Sequence, residues 1–486
     1  MTRARIVAAA FTVALLLLPT LVVGVPPLSD YVNHIARAHV LAHLGDSEAY
    51  RAAYASAWGP YPNLAFDLVA VPLTKVASAE LAGRVFLALT VLVFSAGCHA
   101  LGKAALGRLS WRATAACFFV MCEPFLLGYA SFTFGVGLAL LATAALLRAH
   151  QTRRTAWLGV AAGLGLLVAI SHAAAIVTFG IVAASFALAR LLEGAGPRVA
   201  LRDLAAAAPG GGYFLLWLLV YADRSNDKSW ASPGTSVRML ATSILPSYEP
   251  RADLPILAAL MIAAAVWVVL ARPVKLDRPL SIAAALCAVA VFVAPSDFAG
   301  SYEANGRYAL GAWVFALFSP RAKELPVLRA APVVALAFAA LLGRQLLVTR
   351  SWLELGRELG EQRALLRHIA DRDVVANVTF LDPRAPRSTR LRQLALLHAP
   401  ALAAIDRQAV VPTLYAIRGV QPLAHTTPRY AAHRFKTGEL DSVDTTRLRA
   451  EADVVWLCRA PEPLLAKLQP VEELGRSGDC VLVRIR

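Results

Sequence analysis

In the stretch "PPLSDYVNHIARAHVLAHL", residues 26–44, an acid, an amide, a histidine and an arginine recur at Asp30, Asn33, His34 and Arg37, directly after a long apolar run. At 100° per residue these four fall within roughly a third of a helix circumference, with Val32, Ile35, Ala36 and Ala42 opposite. A carboxylate with an imidazole one turn on can take and tune a proton. The competing role for Asp30, or for Ser29, is to cap the helix that begins after Pro26 and Pro27; capping does not explain the other three residues on the arc. His39 and His43 face away from Asp30. Further along, Glu123 in "CEPF", His172 in "ISHAA", Arg307 in "SYEANGRYALG" and Arg344 in "LLGRQLL" stand at or near the ends of apolar runs. Arg344 lies one or two turns inside its run, and an arginine buried in a membrane span is a functional candidate by default because of its cost.

The elements that must position these residues are membrane helices. Of 486 residues 58% are hydrophobic and 16% charged, more apolar side chain than one soluble core needs, which makes the chain an α-helical polytopic membrane protein. About eleven runs approach the roughly 20 residues of a span: 5–25, 81–102, 113–128, 131–148, 156–171, 173–190, 204–222, 252–271, 279–295, 307–320 and 326–348. Arg3 and Arg5, Lys103, Arg108 and Arg112, Arg148, Arg153 and Arg154, Arg190, Arg198 and Arg202, Arg272, Lys275 and Arg278, and Arg321, Lys323 and Arg329 all fall on one side. That side is cytoplasmic by the positive-inside rule, with the N-terminus on it. The net charge of +16 is therefore a membrane-topology signal. No zinc-finger, RRM or basic-aromatic pattern supports nucleic acid as a partner. A cleaved secretory signal is the lesser reading of the first run, which exceeds an h-region of ~7–15 residues and lacks an A-x-A site.

The other side receives the first loop, 26–80, with amphipathic helices lying on the bilayer at 31–44 and after Pro62 in "PNLAFDLVAVPLTKVAS". It also receives the tail. Residues 1–349 form the membrane domain and residues 350–486 a small extracytoplasmic α/β domain, in which "SWLELGRELGEQRALLRHIADRD" prolongs the last span as a solvated helix. The strand-like runs "VVANVTFL", "ADVVWLC" and "CVLVRIR" follow. Cys98, Cys117, Cys122 and Cys287 lie in apolar runs, whereas Cys458 and Cys480 lie in the tail. An oxidising compartment favours their pairing; the alternative is two buried thiols on separate strands.

An acid exported at the end of span one, amphipathic helices in the first outer loop, about eleven spans and a C-terminal soluble domain together resemble the GT-C superfamily of polyprenyl-phosphate-dependent glycosyltransferases. The specific segments are "SDYVNH" and "PYPNLAFDL". The resemblance implies an inverting transfer of sugar from a polyprenyl-phosphate donor to a lipid, glycan or protein acceptor, on the outer face of the cytoplasmic (inner) membrane. It makes Asp30 the general base or a metal ligand. A clear D-x-D is missing, Glu123 being the acid available where some members place a second acidic motif, so a divalent metal stays an open option. On this reading His34 and Arg37 adjoin the base, Arg307 contacts the phosphate with Arg344 as a second candidate, and His172 lines the cavity. Glu303 and Asp297 are expected as structural partners of Arg307. A transporter and a catalytically inactive envelope scaffold are the competing readings. Transporters, however, place ionisable groups at the midplane, whereas most acids here stand at the outer ends of spans.

Overall fold

The first helix, Thr2–Val22, ends before Gly24, and the paired prolines carry the chain extended to Asp30, where the helix Tyr31–His43 begins. The computed structural model describes residues 2–221, 228–298, 302–322, 327–382, 385–416, 419–427 and 443–486; Lys323, one of the expected cytoplasmic cations, lies outside them. The protein is mostly helical. Among the described residues six helices are long and apolar enough to cross a membrane: Arg3–Val22, Ala79–Leu106, Ala130–Thr152, Ala173–Leu192, Pro250–Leu270 and Arg329–His368. The pair Pro197–Ala205 and Ala208–Val220, bent by 65°, is a seventh if counted as one span.

The remaining expected runs are shorter or broken. Ala156–Ser171 and Arg278–Val293 are short apolar helices, and the run at 307–320 is the eleven-residue helix Tyr308–Phe318. The run at 113–128 splits into Trp111–Cys117, a 3₁₀ turn Phe118–Met121 and a short helix Glu123–Leu126, because Cys122 adopts extended backbone ahead of Pro124. The helix Ala130–Thr152 is the most enclosed of the long ones. It packs on Ala79–Leu106 at backbone distance: a Cβ on Gly137 would lie 2.7 Å from the Phe94 nitrogen. Small residues permit such an approach, and dispersion contacts then hold the pair together in lipid.

The helix Tyr31–His43 does not lie on the bilayer. Its apolar face (Val32, Ile35, Ala36) and its polar face (Asn33, His34, Arg37) are both buried, because it is enclosed by Ala65–Thr74, Ala79–Leu106 and the tail helix Leu402–Arg407. Periodicity registers two unlike faces but not that each finds a protein partner.

A single helix, Val327–Leu365, runs through residue 350 into the tail. The tail's four-stranded sheet has the order Val375–Thr379, Val454–Cys458, Cys480–Ile485, Val471–Ser477; the first pair is parallel and the others antiparallel. Cys458 and Cys480 face each other across the central antiparallel pair and are joined as a disulfide. The tail is stitched to the loop that follows the first helix. Tyr54–Ser56 pairs antiparallel with Leu423–His425, Ser47 Oγ lies 2.7 Å from Gln408 Oε1, and the Tyr50 hydroxyl donates to the Ala404 carbonyl. Tail and first loop share one apolar core.

Candidate active site

Asp30 occupies the N-cap position of its helix, yet its side chain makes no capping bond. The backbone is held instead: Asp30 N donates to the Leu127 carbonyl (3.0 Å), and the Asp30 carbonyl accepts from His34 N (3.0 Å). Gly128 makes the first contact feasible. Its φ is +89°, and an added Cβ would come within 2.7 Å of the Asp30 and Tyr31 nitrogens, so only glycine fits. The carboxylate is left for other work. Tyr415 stands beside it and lowers its proton affinity, and Oδ1 lies 3.7 Å from His398 Nε2. Burial pushes the Asp30 carboxyl up to about 6, against the lowering influence of Tyr415, Arg307 and Arg37. An acid so placed is a base above pH 6 with appreciable proton affinity.

Arg307 and His172 form the cationic side. His172 caps the helix Ala173–Leu192 through Nδ1, which accepts from Ala174 N at 3.0 Å. A neutral imidazole accepts at one nitrogen and donates at the other, so Nε2 carries the hydrogen. Nε2 faces Arg307 Nη1 at 3.5 Å, and two donors that close favour a shared acceptor oxygen. Arg307 also donates to the Tyr302 carbonyl (3.3 Å) and lies 4.4 Å over the Tyr129 ring. Tyr129 follows Gly128 in the chain and feels the charges of both Asp30 and Arg307, which brings the acid and the cation to one place.

The other expected residues are committed within the protein. Arg37 makes a bidentate pair with Asp67 (2.8 and 2.7 Å), both side chains being fully buried; it fastens the first loop helix to the second. Arg344 is not aimed at Asp30. Buried in the long helix, it donates to the carbonyls of Pro246 (2.9 Å from Nε) and Met121, tying two separate segments together. Glu123 forms a buried bidentate pair with Arg387 of the tail. Glu303 lies 3.8 Å from the same guanidinium and also feels the charge of Arg307, and Asp297 accepts from Ser229. His34 is wedged between the rings of Phe66 (5.2 Å) and Tyr415 (5.6 Å). Burial drives its proton affinity well down, so it serves as a neutral wall one turn from Asp30. Sequence reasoning misses Asp67, Tyr129, Arg387, His398 and Tyr415. The "PNLAFDL" segment signals the first; the tail residues carry no local signal. Among the described residues no group of three or more His, Cys, Asp or Glu side chains is placed to hold a metal ion.

A mostly helical body with several membrane-length helices agrees with the fold class expected above, although the helix Tyr31–His43 is enclosed by protein and not laid on the bilayer. Among solved structures, the chain is similar over 100% of its length, and over 98% of the other's, to ArnT from Cupriavidus metallidurans bound to undecaprenyl phosphate, with a TM-score of 0.55 and 13% identity. The apo state of the same protein gives a TM-score of 0.52 at 12% identity, covering 99% and 97%. The likeness is one of fold. No family model and no curated protein matches the chain.

Proposed function

We propose that the protein is a membrane glycosyltransferase that moves a sugar from a polyprenyl-phosphate donor to a lipid, glycan or protein acceptor on the outer face of the cytoplasmic membrane. Residues 1–349 are its membrane domain and residues 350–486 an extracytoplasmic cover. The observation that carries this reading is the pairing, in one place, of a half-buried Asp30, whose side chain makes no capping bond, with the donor pair Arg307 and His172. The full-length fold likeness to a protein bound to undecaprenyl phosphate supports the choice of donor.

On this reading Asp30 takes the proton from the acceptor's nucleophile as it attacks the anomeric carbon. Charge builds on the departing phosphate, where Arg307 and the His172 Nε2–H donate to it. A single displacement inverts the anomeric centre. Arg37 and Arg344, with their partners, hold the first-loop helix and the outer loops in register. Deleting the gene and profiling envelope lipids and glycans by mass spectrometry tests the proposal. The expected result is an accumulated polyprenyl-phosphate sugar and a missing modified acceptor, both reversed by the wild-type gene. An unchanged profile refutes it.

A further inference from the structure

Asp30 is reached from two directions. Arg37 and His34 stand on its own helix, and Tyr129 and Arg307 come from the membrane body. His398 and Tyr415 come from the tail, more than 360 residues away in sequence. The two tail residues form an ordered set. The Tyr415 hydroxyl, which interacts with Asp30 and Asn33, lies 3.5 Å from His398 Nε2, with the two rings 5.6 Å apart edge to face, and the same Nε2 lies 3.7 Å from Asp30 Oδ1. His398 is held neutral, its proton affinity lowered by burial to about 4. A neutral imidazole has one N–H to give. With that hydrogen on Nε2, the donors run in one direction, from His398 to the Tyr415 oxygen and from the Tyr415 O–H to the Asp30 carboxylate.

We infer that Tyr415 and His398 are positioning residues for Asp30: Tyr415 fixes one carboxylate oxygen and leaves the other to face the acceptor, and His398 orients the tyrosine hydroxyl. The tail then does more than cover the membrane site, because the base is complete only when this segment is docked. That consequence for catalysis rests on the proposed transferase reading; the close packing of Asp30, His398 and Tyr415 does not.

The arrangement is testable without substrate. Infrared difference titration of the purified full-length protein in detergent follows the protonated carboxyl band that disappears in Asp30→Asn. Tyr415→Phe keeps the ring and removes the donor to the charged form, so the Asp30 midpoint should rise by about one pH unit, a roughly tenfold gain in proton affinity. His398→Leu should shift it the same way by less, and His398→Gln, which retains an N–H donor, should restore the wild-type midpoint. Residues that merely pack the tail would lower thermal stability and leave the midpoint in place. An unmoved midpoint in both Tyr415→Phe and His398→Leu overturns the inference; if Tyr415→Phe does not fold, the Leu and Gln variants at His398 decide it alone. A shifted midpoint with no change in the envelope profile keeps the inference and refutes the transferase reading instead.

Discussion

Gly128→Ala tests whether the placement of Asp30 matters more than its presence. The new Cβ would stand 2.7 Å from the backbone nitrogens of both Asp30 and Tyr31 and 3.1 Å from Asp30 Cα. None of these is a flexible side-chain end, so the start of the helix must retreat by roughly 0.7–1 Å to regain ordinary contact near ~3.5 Å. The left-handed backbone at Gly128 adds about 1–2 kcal/mol of strain for an L-residue. A reacting group misplaced by about 1 Å loses on the order of 10²-fold in rate, so the variant should lose roughly 10- to 100-fold in transfer while still inserting into the membrane. Gly107→Ala separates strain from displacement. Gly107 has a similar φ of +72° and ends the helix Ala79–Leu106, but a Cβ added there would meet nothing within 4 Å. It should cost stability and leave transfer intact. Both variants are read by melting in detergent and by restoration of the modified acceptor in the deletion strain. Wild-type restoration by Gly128→Ala, or equal loss in the two variants, would refute the reasoning.

Product formation in isolated membranes should fall as pH drops through about 6, because protonating Asp30 removes the base; a rate flat from pH 5 to 8 would contradict this. Arg307→Gln should raise the half-saturating concentration of the lipid donor and lower turnover by roughly 10²–10³-fold, the usual loss on removing one oxyanion donor, while Arg344→Gln should act mainly through stability. Non-reducing peptide mapping should recover a linked Cys458–Cys480 peptide. Two freely alkylated thiols in protein isolated without reductant would contradict an oxidised tail.

Position made some of this site legible in the sequence. Asp30 follows the first span immediately, and Arg307 and His172 stand at ends of apolar runs, where side chains from several helices can meet. Partner choice was not legible. Arg37 lies on the same arc as Asp30, but its guanidinium is taken by Asp67, thirty residues on; Arg344 is taken by backbone carbonyls of two other segments. Arcs rank residues by direction and cannot say which opposite charge folds against them. His398 and Tyr415 belong to an Ala- and Leu-rich stretch with no motif, and only the docking of the tail on the first loop brings them to Asp30. The same limit applies to the spans: hydropathy locates apolar runs, while the break at Cys122 and the bend before Ala208 arise from backbone geometry within them.

The central claim is that Asp30 is the base. Asp30→Asn preserves size and removes the charge without removing a cap, since the side chain caps nothing. The decisive measurement is the amount of modified acceptor, by lipid and glycan mass spectrometry, in the deletion strain carrying either Asp30→Asn or the wild-type gene at equal membrane abundance. The account predicts a loss of roughly 10²–10⁴-fold, the range for removal of a general base. Restoration to the wild-type level by Asp30→Asn would contradict it.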